Sequence, residues 1–321
     1  MKKNKGKITV IIPTYNRESD LKKCINSILS QTVIPDEVIV IDDGELKEIP
    51  LYERCTQRGI NLVYIKKNKH GVVFSRNIGV EKAKGDIIFL LEDDVVLFPD
   101  YIEEILKVYQ LYESQGVNIG GVGGIIANPP QKGLKKFLLW AYYVIFFNSG
   151  FKEGKILPSG FGTDYNSTPF PLKKIQEVDF LPGGVSSFKK EIFNQFQFLE
   201  KYQTETGYAQ GEDRDFSYRV SQKYKIFINP KAKLNHYSSP KTNYNRKIRG
   251  RAYVLFHYLF FKDHLDEKIY QKFLFYYALF GFGLLRLIIA IISFKKSEWQ
   301  RVGGIFEAVK NILSKKEIFH V

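Results

Sequence analysis

The chain has 321 residues, 44% hydrophobic and 26% charged, with a formal net charge of +14. Those proportions exclude a disordered or fibrous chain and supply ample apolar material for the core of one large domain, or a domain with an appendage. Two cysteines, Cys24 and Cys55, exclude a disulfide framework and a cysteine-based metal site. The charge is uneven: residues 231–321 hold 17 Lys or Arg against 6 Asp or Glu, +11, and the first 230 hold 31 against 28, +3. A basic segment of this kind suits an anionic membrane surface or nucleic acid. The opening MKKNKGKITVIIP has too short an apolar run for a signal-peptide core, so a reducing, cytoplasmic setting is expected.

In chain order, ITVII (8–12) is a β-branched apolar run closed by Pro13 and reads as a buried strand. Ser19 and Asp20 precede Leu21, Cys24, Ile25, Ile28 and Leu29, an amphipathic helix with a capping candidate in front. EVIVID (37–42) and LVYI (62–65) are further strands, residues 72–84 read as a helix, and GDIIFLL (85–91) is a fourth strand before a helix over 102–112. Residues 129–175, around the apolar run FLLWAYYVIFF (137–147), read as an insertion that shapes the substrate site. A helix is expected near 187–195, another after the polar GYAQGEDRDFSYRV (207–220), then a strand KIFINP (225–230), with KLNHYSSP (233–240) closing the globular part. Strands alternating with helices, each strand almost unbroken in its apolar residues, predict an α/β fold: a mostly parallel, Rossmann-like sheet covered on both faces.

Two acidic clusters, Asp42-Asp43 and Glu92-Asp93-Asp94, then fall at carboxyl ends of strands, the edge where open α/β sheets bind ligands. Adjacent carboxylates between apolar runs call for a positive partner or a solvated turn. There is no GxGxxG after the first strand and no GxxxxGK[ST]. Phosphate recognition would therefore rest on side chains and a hard cation such as Mg²⁺ or Mn²⁺. Glu212-Asp213-Arg214-Asp215 is a second acidic group, readable as a general base or as acidic residues favouring a helix N-terminus. His236, just past a strand, reads as structural or as a ligand.

Taken in order, VIIPTYNR (10–17), IVIDDG (39–44), HGVVFSRNIG (70–79), LLEDDV (90–95), FLPGGVSSFKK (180–190) and GYAQGEDRDFSYR (207–219) resemble the family 2 glycosyltransferases, inverting enzymes of GT-A fold. The resemblance covers residues 8 to about 240. It implies that Pro13 and Tyr15 pack against the nucleotide base and that Asp43 accepts from the base edge, as a uracil N–H requires. Arg76 and Asp93 would belong to the nucleotide-sugar site. Asp94, with Glu92 and His236, would hold Mg²⁺ or Mn²⁺, Asp213 would deprotonate the acceptor hydroxyl with Glu212 beside it, and Gly183 and Gly184 would line the acceptor side. Glu92 stands where the family's motif has Asp, which leaves open a direct or a water-bridged metal contact. The implied reaction moves a sugar, from a UDP-sugar in the first place, to a hydroxyl of a glycan or lipid-linked acceptor. The implied organisation is a catalytic domain 1–240, with a nucleotide-sugar half 1–128 and an acceptor half 129–240, followed by a membrane-associated helical region 241–321.

That last region contains FLFYYALFGFGLLRLIIAIISF (273–294), long enough to cross a bilayer, with Arg286 its one charge. After it, Val302, Ile305, Phe306, Val309, Ile312 and Leu313 form an apolar stripe, with Lys310, Lys315 and Lys316 on other faces, the pattern of an interfacial helix. Attachment to the cytoplasmic face of the cell membrane, peripheral or by one span, is expected. A helical subdomain packed on the enzyme or on a second copy is the alternative. Two other functions use similar residues. A metal-dependent nucleotidyl or phosphoryl transferase needs paired carboxylates, yet not the PTYNR turn and the ED pair in this order. A basic nucleic-acid binder would isolate its stacking aromatics, whereas here the basic residues are interleaved with long apolar runs.

Overall fold

The structure, a computed structural model, describes residues 6–128, 133–204, 209–237 and 245–314. Its elements are β1 (Ile8–Thr14), α1 (Glu18–Leu29), β2 (Glu37–Asp42), α2 (Tyr52–Gln57), β3 (Asn61–Lys66), α3 (Val72–Lys82), β4 (Ile87–Leu91), β5 (Val95–Leu97), α4 (Tyr101–Ser114) and β6 (Ile119–Ile126). They continue with α5 (Leu134–Ile145), β7 (Gln176–Glu177), β8 (Val185–Lys189), α6 (Glu212–Ser221), β9 (Lys225–His236), α7 (Arg246–His264), α8 (Ile269–Ser293) and α9 (Lys296–Leu313).

The described strands join in one sheet of order β3-β2-β1-β4-β8-β6-β9-β5, with β7 on β9. The expected parallel arrangement holds over β3-β2-β1-β4. Beyond β4 the sheet is mixed, because β8 enters antiparallel between β4 and β6 while β6 and β9 run parallel. β1 and β2 are buried along both faces, the reason their sequences read as continuous apolar runs. Leu21, Cys24, Ile25 and Ile28 of α1 and Ile102, Ile105 and Tyr109 of α4 pack into the same core.

The helix expected near 187–195 is instead strand β8 followed by a short 3₁₀ turn, Lys190–Asn194. The spacing of Phe188, Ile192 and Phe196 imitates a helical stripe. Residues 185–189 are claimed by ladders on both sides, where Ser186 and Ser187 are buried and the Ser187 hydroxyl donates to the Val122 carbonyl at 2.8 Å. KIFINP and the start of KLNHYSSP form one strand, β9, and residues 238–240 lie outside those described.

The chain separates into two compact units. One comprises residues 1–129, 172–200 and 212–239 and carries the sheet; the other comprises 130–171, 201–211 and 240–321. The helix within the insertion, α5, thus belongs by its contacts with α7–α9 rather than with the sheet. In this second unit Phe161, Val254, Leu255, Phe261, Phe275, Ala278, Leu279, Phe282, Ile305 and Ala308 form a core of their own. Among the described residues, α8 is the one helix long and apolar enough to cross a membrane. The stripe expected on α9 divides: Val302, Ile305 and Ile312 are buried, whereas Phe306 and Leu313 are exposed; Lys315 and Lys316 lie outside the described residues.

Candidate active site

Parallel pairing aligns the carboxyl ends of β1, β2 and β4 on one edge of the sheet, and β4 there delivers Glu92, Asp93 and Asp94. The β5–β9 ladder sets Val95 opposite His236, and the Tyr237 N–H donates to the Asp94 carbonyl at 2.8 Å. That register brings His236 Nε2 to 3.0 Å from Asp94 Oδ1 and 3.3 Å from Glu92 Oε2. Hydrogen bonds to Asp94 and Glu92 raise the His236 pKa to about 10. One ligand atom from each of Glu92, Asp94 and His236 lies within 4.8 Å of the others. Two carboxylates suit Mg²⁺ or Mn²⁺, the imidazole beside them is a donor for a transition-metal ion such as Mn²⁺, and a cation held among them would displace any proton shared with the ring. The residues fit a divalent ion.

Asp93 turns the other way. It is buried, accepting from the Thr14 hydroxyl at 2.8 Å and from Arg17 at 3.0 Å, while Arg17 also reaches Asp94 at 3.1 Å. Burial pushes the Asp93 carboxyl up to about 6 against the pull of Arg17. Its contacts are those of a brace that ties the strand end to the β1 turn. Beneath it Cys24 is fully buried, its thiol within 3.5 Å of the Glu92 carbonyl, and burial raises its pKa far out of the reactive range.

Arg76, on α3, is buried and donates to Glu212 Oε1 at 2.6 Å; Glu92 stands 3.9 Å from the same guanidinium. Burial pushes the Glu212 carboxyl up to about 7, offset in part by Arg76. Its neighbour Asp213, in the first turn of α6, is partly exposed; its Oδ2 accepts the Gly183 N–H at 2.7 Å and its Oδ1 the Arg214 N–H at 2.8 Å. Both glycines leave little room for a side chain. A Cβ on Gly183 would lie 2.4 Å from Arg76 Nη2, and one on Gly184 3.0 Å from the Glu92 carboxyl carbon. The Gly-Gly pair, the metal-type cluster, Arg76 and the Glu212-Asp213 pair therefore make one continuous site.

On the other side of β1, Pro13 is half-buried in the strand opposite Ile41, and Tyr15 is exposed with its ring 4.8 Å from that of His70. The Asp43 carboxylate is held by the Gly71 N–H at 2.8 Å, by Lys67 at 3.0 Å and by His70 at 2.8 Å. Asp42 lies deeper, bonded to the Gly44 and Leu46 N–H groups and the Tyr64 hydroxyl, which fixes the loop after β2. That loop docks on the PTYNR turn, where Asn16 has φ 54° and its Oδ1 accepts the Glu45 N–H at 2.7 Å; a Cβ on Gly44 would lie 2.4 Å from that oxygen. Sequence reading assigned no role to Thr14, Arg17, Lys67 or His70. All four sit within or beside the quoted motifs, and only their partners, distant in sequence, mark them out.

An open α/β sheet with a carboxylate–histidine cluster at its carboxyl edge and a carboxylate across a Gly-Gly turn is the arrangement that the GT-A resemblance implies. The family model described as "Glycosyl transferase family 2" matches residues 9–168. The chain is 37% identical over 101 residues to an uncharacterized glycosyltransferase of Bacillus subtilis, YwdF, a stretch that is 32% of this chain and 37% of that one. It is 24% identical over 242 residues, 72% of this chain and 69% of the other, to a glucosyl-dolichyl phosphate glucuronosyltransferase of Haloferax volcanii. Of the first curated relatives it matches, the chain spans little more than a third of the length, or less. A mannosyltransferase from Pyrobaculum calidifontis, solved in complex with GDP-Man and Mn²⁺, shares the fold with a TM-score of 0.57 and 17% identity, over 98% of this chain and 89% of that one. By the family match, residues 9–168 carry a glycosyl transferase family 2 domain.

Proposed function

We propose that this enzyme transfers a sugar from a nucleoside-diphosphate sugar to a hydroxyl of a glycan or lipid-linked acceptor, with inversion at the anomeric carbon and with a divalent cation as cofactor. The convergence of Glu92, Asp94 and His236 beside Arg76 and the Asp213–Gly183 contact carries the reading. Neither a nucleotidyl transferase nor a nucleic-acid binder calls for that combination.

Tyr15 offers an exposed ring to a base, and His70, which lies against that ring, also meets the carboxylate of Asp43, oriented by Gly71 and Lys67. A UDP-sugar is the first donor to try. Asp94, His236 and Glu92 would hold Mg²⁺ or Mn²⁺, which when bound would offer Lewis-acid stabilisation to a leaving diphosphate. Arg76 adds a fixed positive charge behind Gly183. Asp213 accepts the proton of the attacking hydroxyl; its orientation is set by the Gly183 and Arg214 N–H groups, which leave its remaining lone pairs to the acceptor. Attack from the face opposite the leaving group inverts the centre in one displacement and needs no covalent enzyme intermediate.

For localisation, the apolar α8 and the +11 charge of residues 231–321 support attachment to an anionic membrane, and the two free cysteines support its cytoplasmic face. Incubation with nucleotide sugars and Mn²⁺ tests the activity: release of free nucleoside diphosphate together with transfer of labelled sugar is expected. Release of pyrophosphate, or no turnover of any nucleotide sugar under conditions where the protein is folded, overturns the reading.

A further inference from the structure

Resting on the membrane reading above, we infer that α8 lies in one leaflet of an anionic bilayer instead of crossing it, and that α5 shares the contact. The helix has two distinct faces. Phe275, Ala278, Leu279, Phe282 and Ala290 are buried, while Ile269, Phe273, Tyr276, Phe280, Ile288 and Ile291 lie bare along the opposite side. The buried face is packed against helices that cannot enter hydrocarbon. Phe275 stacks on Phe261 and Phe282 on Tyr253 of α7, and Gly283 faces Ile305 of α9.

Crossing the hydrocarbon takes about 20 helical residues. Any such stretch of α8 includes residues 274–288, hence Phe282, Gly283 and Arg286. Their partners come with them. Close by in α7 and α9, Arg251 and Lys247 pair with Glu307 at 3.1 and 2.7 Å, and Arg246 and Arg301 each stand 3.6 Å from Glu298. A spanning α8 would carry these ions to mid-bilayer depth, where they are costly. A helix lying flat keeps them on the water side and buries only the bare stripe.

The stripe continues onto α5. Phe146 stacks on Tyr277 at 5.2 Å and touches Phe280 at 6.3 Å, the Tyr142 hydroxyl donates to the Gly281 carbonyl at 2.8 Å, and Leu134, Phe137, Leu138 and Ile145 are exposed. Exposed lysines mark both ends: Lys268 and Lys272 before the apolar run, Lys295 and Lys296 after it, with Lys135 on α5. An apolar band flanked by ammonium groups complements acyl chains beneath anionic phosphate headgroups, which selects a lipid surface over a second copy carrying the same positive ends.

The test uses the full chain in membranes of the cells that produce it, with one added cysteine: Lys268→Cys, Lys296→Cys or, in the sheet-bearing unit, Lys82→Cys. A membrane-impermeant maleimide is applied with and without permeabilisation; Cys24 and Cys55 are buried and set the background. Labelling of Lys268→Cys and Lys296→Cys from the side that labels Lys82→Cys is the expected result. Labelling of the two from opposite sides means a crossing, which overturns this inference and leaves the membrane reading standing. Recovery of the chain from the soluble fraction without detergent, alone or as a dimer, overturns both. In flotation with phosphatidylglycerol-containing vesicles, Phe273→Ser with Phe280→Ser should weaken binding by about tenfold or more. Unchanged binding, or equal binding to pure phosphatidylcholine, removes the assigned face or the assigned charge preference.

Discussion

Arg76 and Glu212 meet at 2.6 Å with both side chains buried, although 136 residues separate them in the chain. The pair joins α3 to the first turn of α6, which carries the proposed base. Removing one buried partner leaves the other uncompensated. Arg76→Ala should therefore destabilise the protein by about 3–5 kcal/mol in denaturant unfolding. Arg76→Lys, lacking the planar fork, should lose much of the same amount.

Glu212 also gives this enzyme a pH signature. Its folded pKa, about 7, lies above the ordinary carboxylate value because of burial. The folded state thus holds a proton that the unfolded state has released. The contribution to stability is full below the ordinary value, near 4.5, and is lost as pH rises through about 7. Glu212→Gln should flatten the fall in unfolding free energy between those values. An unaltered pH profile would show that Glu212 stays ionised throughout.

Gly183→Ala isolates geometry from charge. The new methyl carbon would stand 2.4 Å from Arg76 Nη2, so either the guanidinium shifts against Glu212 or the Gly183 N–H shifts against Asp213. Turnover should fall by about 100-fold, the cost of a misplaced catalytic constellation, while the circular dichroism spectrum stays that of the folded chain. Wild-type kinetics would show that the loop yields freely.

Asp213→Asn keeps an oxygen for the Gly183 N–H but cannot take a proton. Turnover should drop by about two to four orders of magnitude, the usual worth of a general base. Donor affinity, measured by calorimetry with Mn²⁺, should be unchanged. Near-wild-type transfer would remove Asp213 from the mechanism.

Asp94→Ala and His236→Ala should each abolish metal-dependent donor binding, since each removes one of three donors that the β5–β9 register gathers. Glu92→Asp, one methylene shorter, should retain it. Asp93→Ala should act differently: it removes the acceptor of the buried Thr14 hydroxyl and one of the two carboxylates on Arg17, and so lowers stability rather than metal affinity alone. Donor affinity indifferent to EDTA would sink the metal assignment.

Strand ends, the carboxylates they deliver and the apolar run 273–294 that makes most of α8 were legible in the sequence, because period and burial leave a direct trace in residue type. Local spacing also misled: Phe188, Ile192 and Phe196 imitate a helix where cross-strand pairing makes β8, and Val95–Leu97 is too short to announce itself as a strand. What no local pattern encodes is which distant residues meet. Ladder register brings His236 to Asp94, and a buried ion pair joins Arg76 to Glu212. Asp93 shares Arg17 with Asp94, yet it is Asp93 that bonds the buried Thr14 hydroxyl of the adjacent strand and Asp94 that meets His236. Charges at a strand end follow from the sequence alone; which of them faces a ligand and which braces the fold depends on partners supplied from elsewhere in the sheet, and so belongs to the tertiary structure.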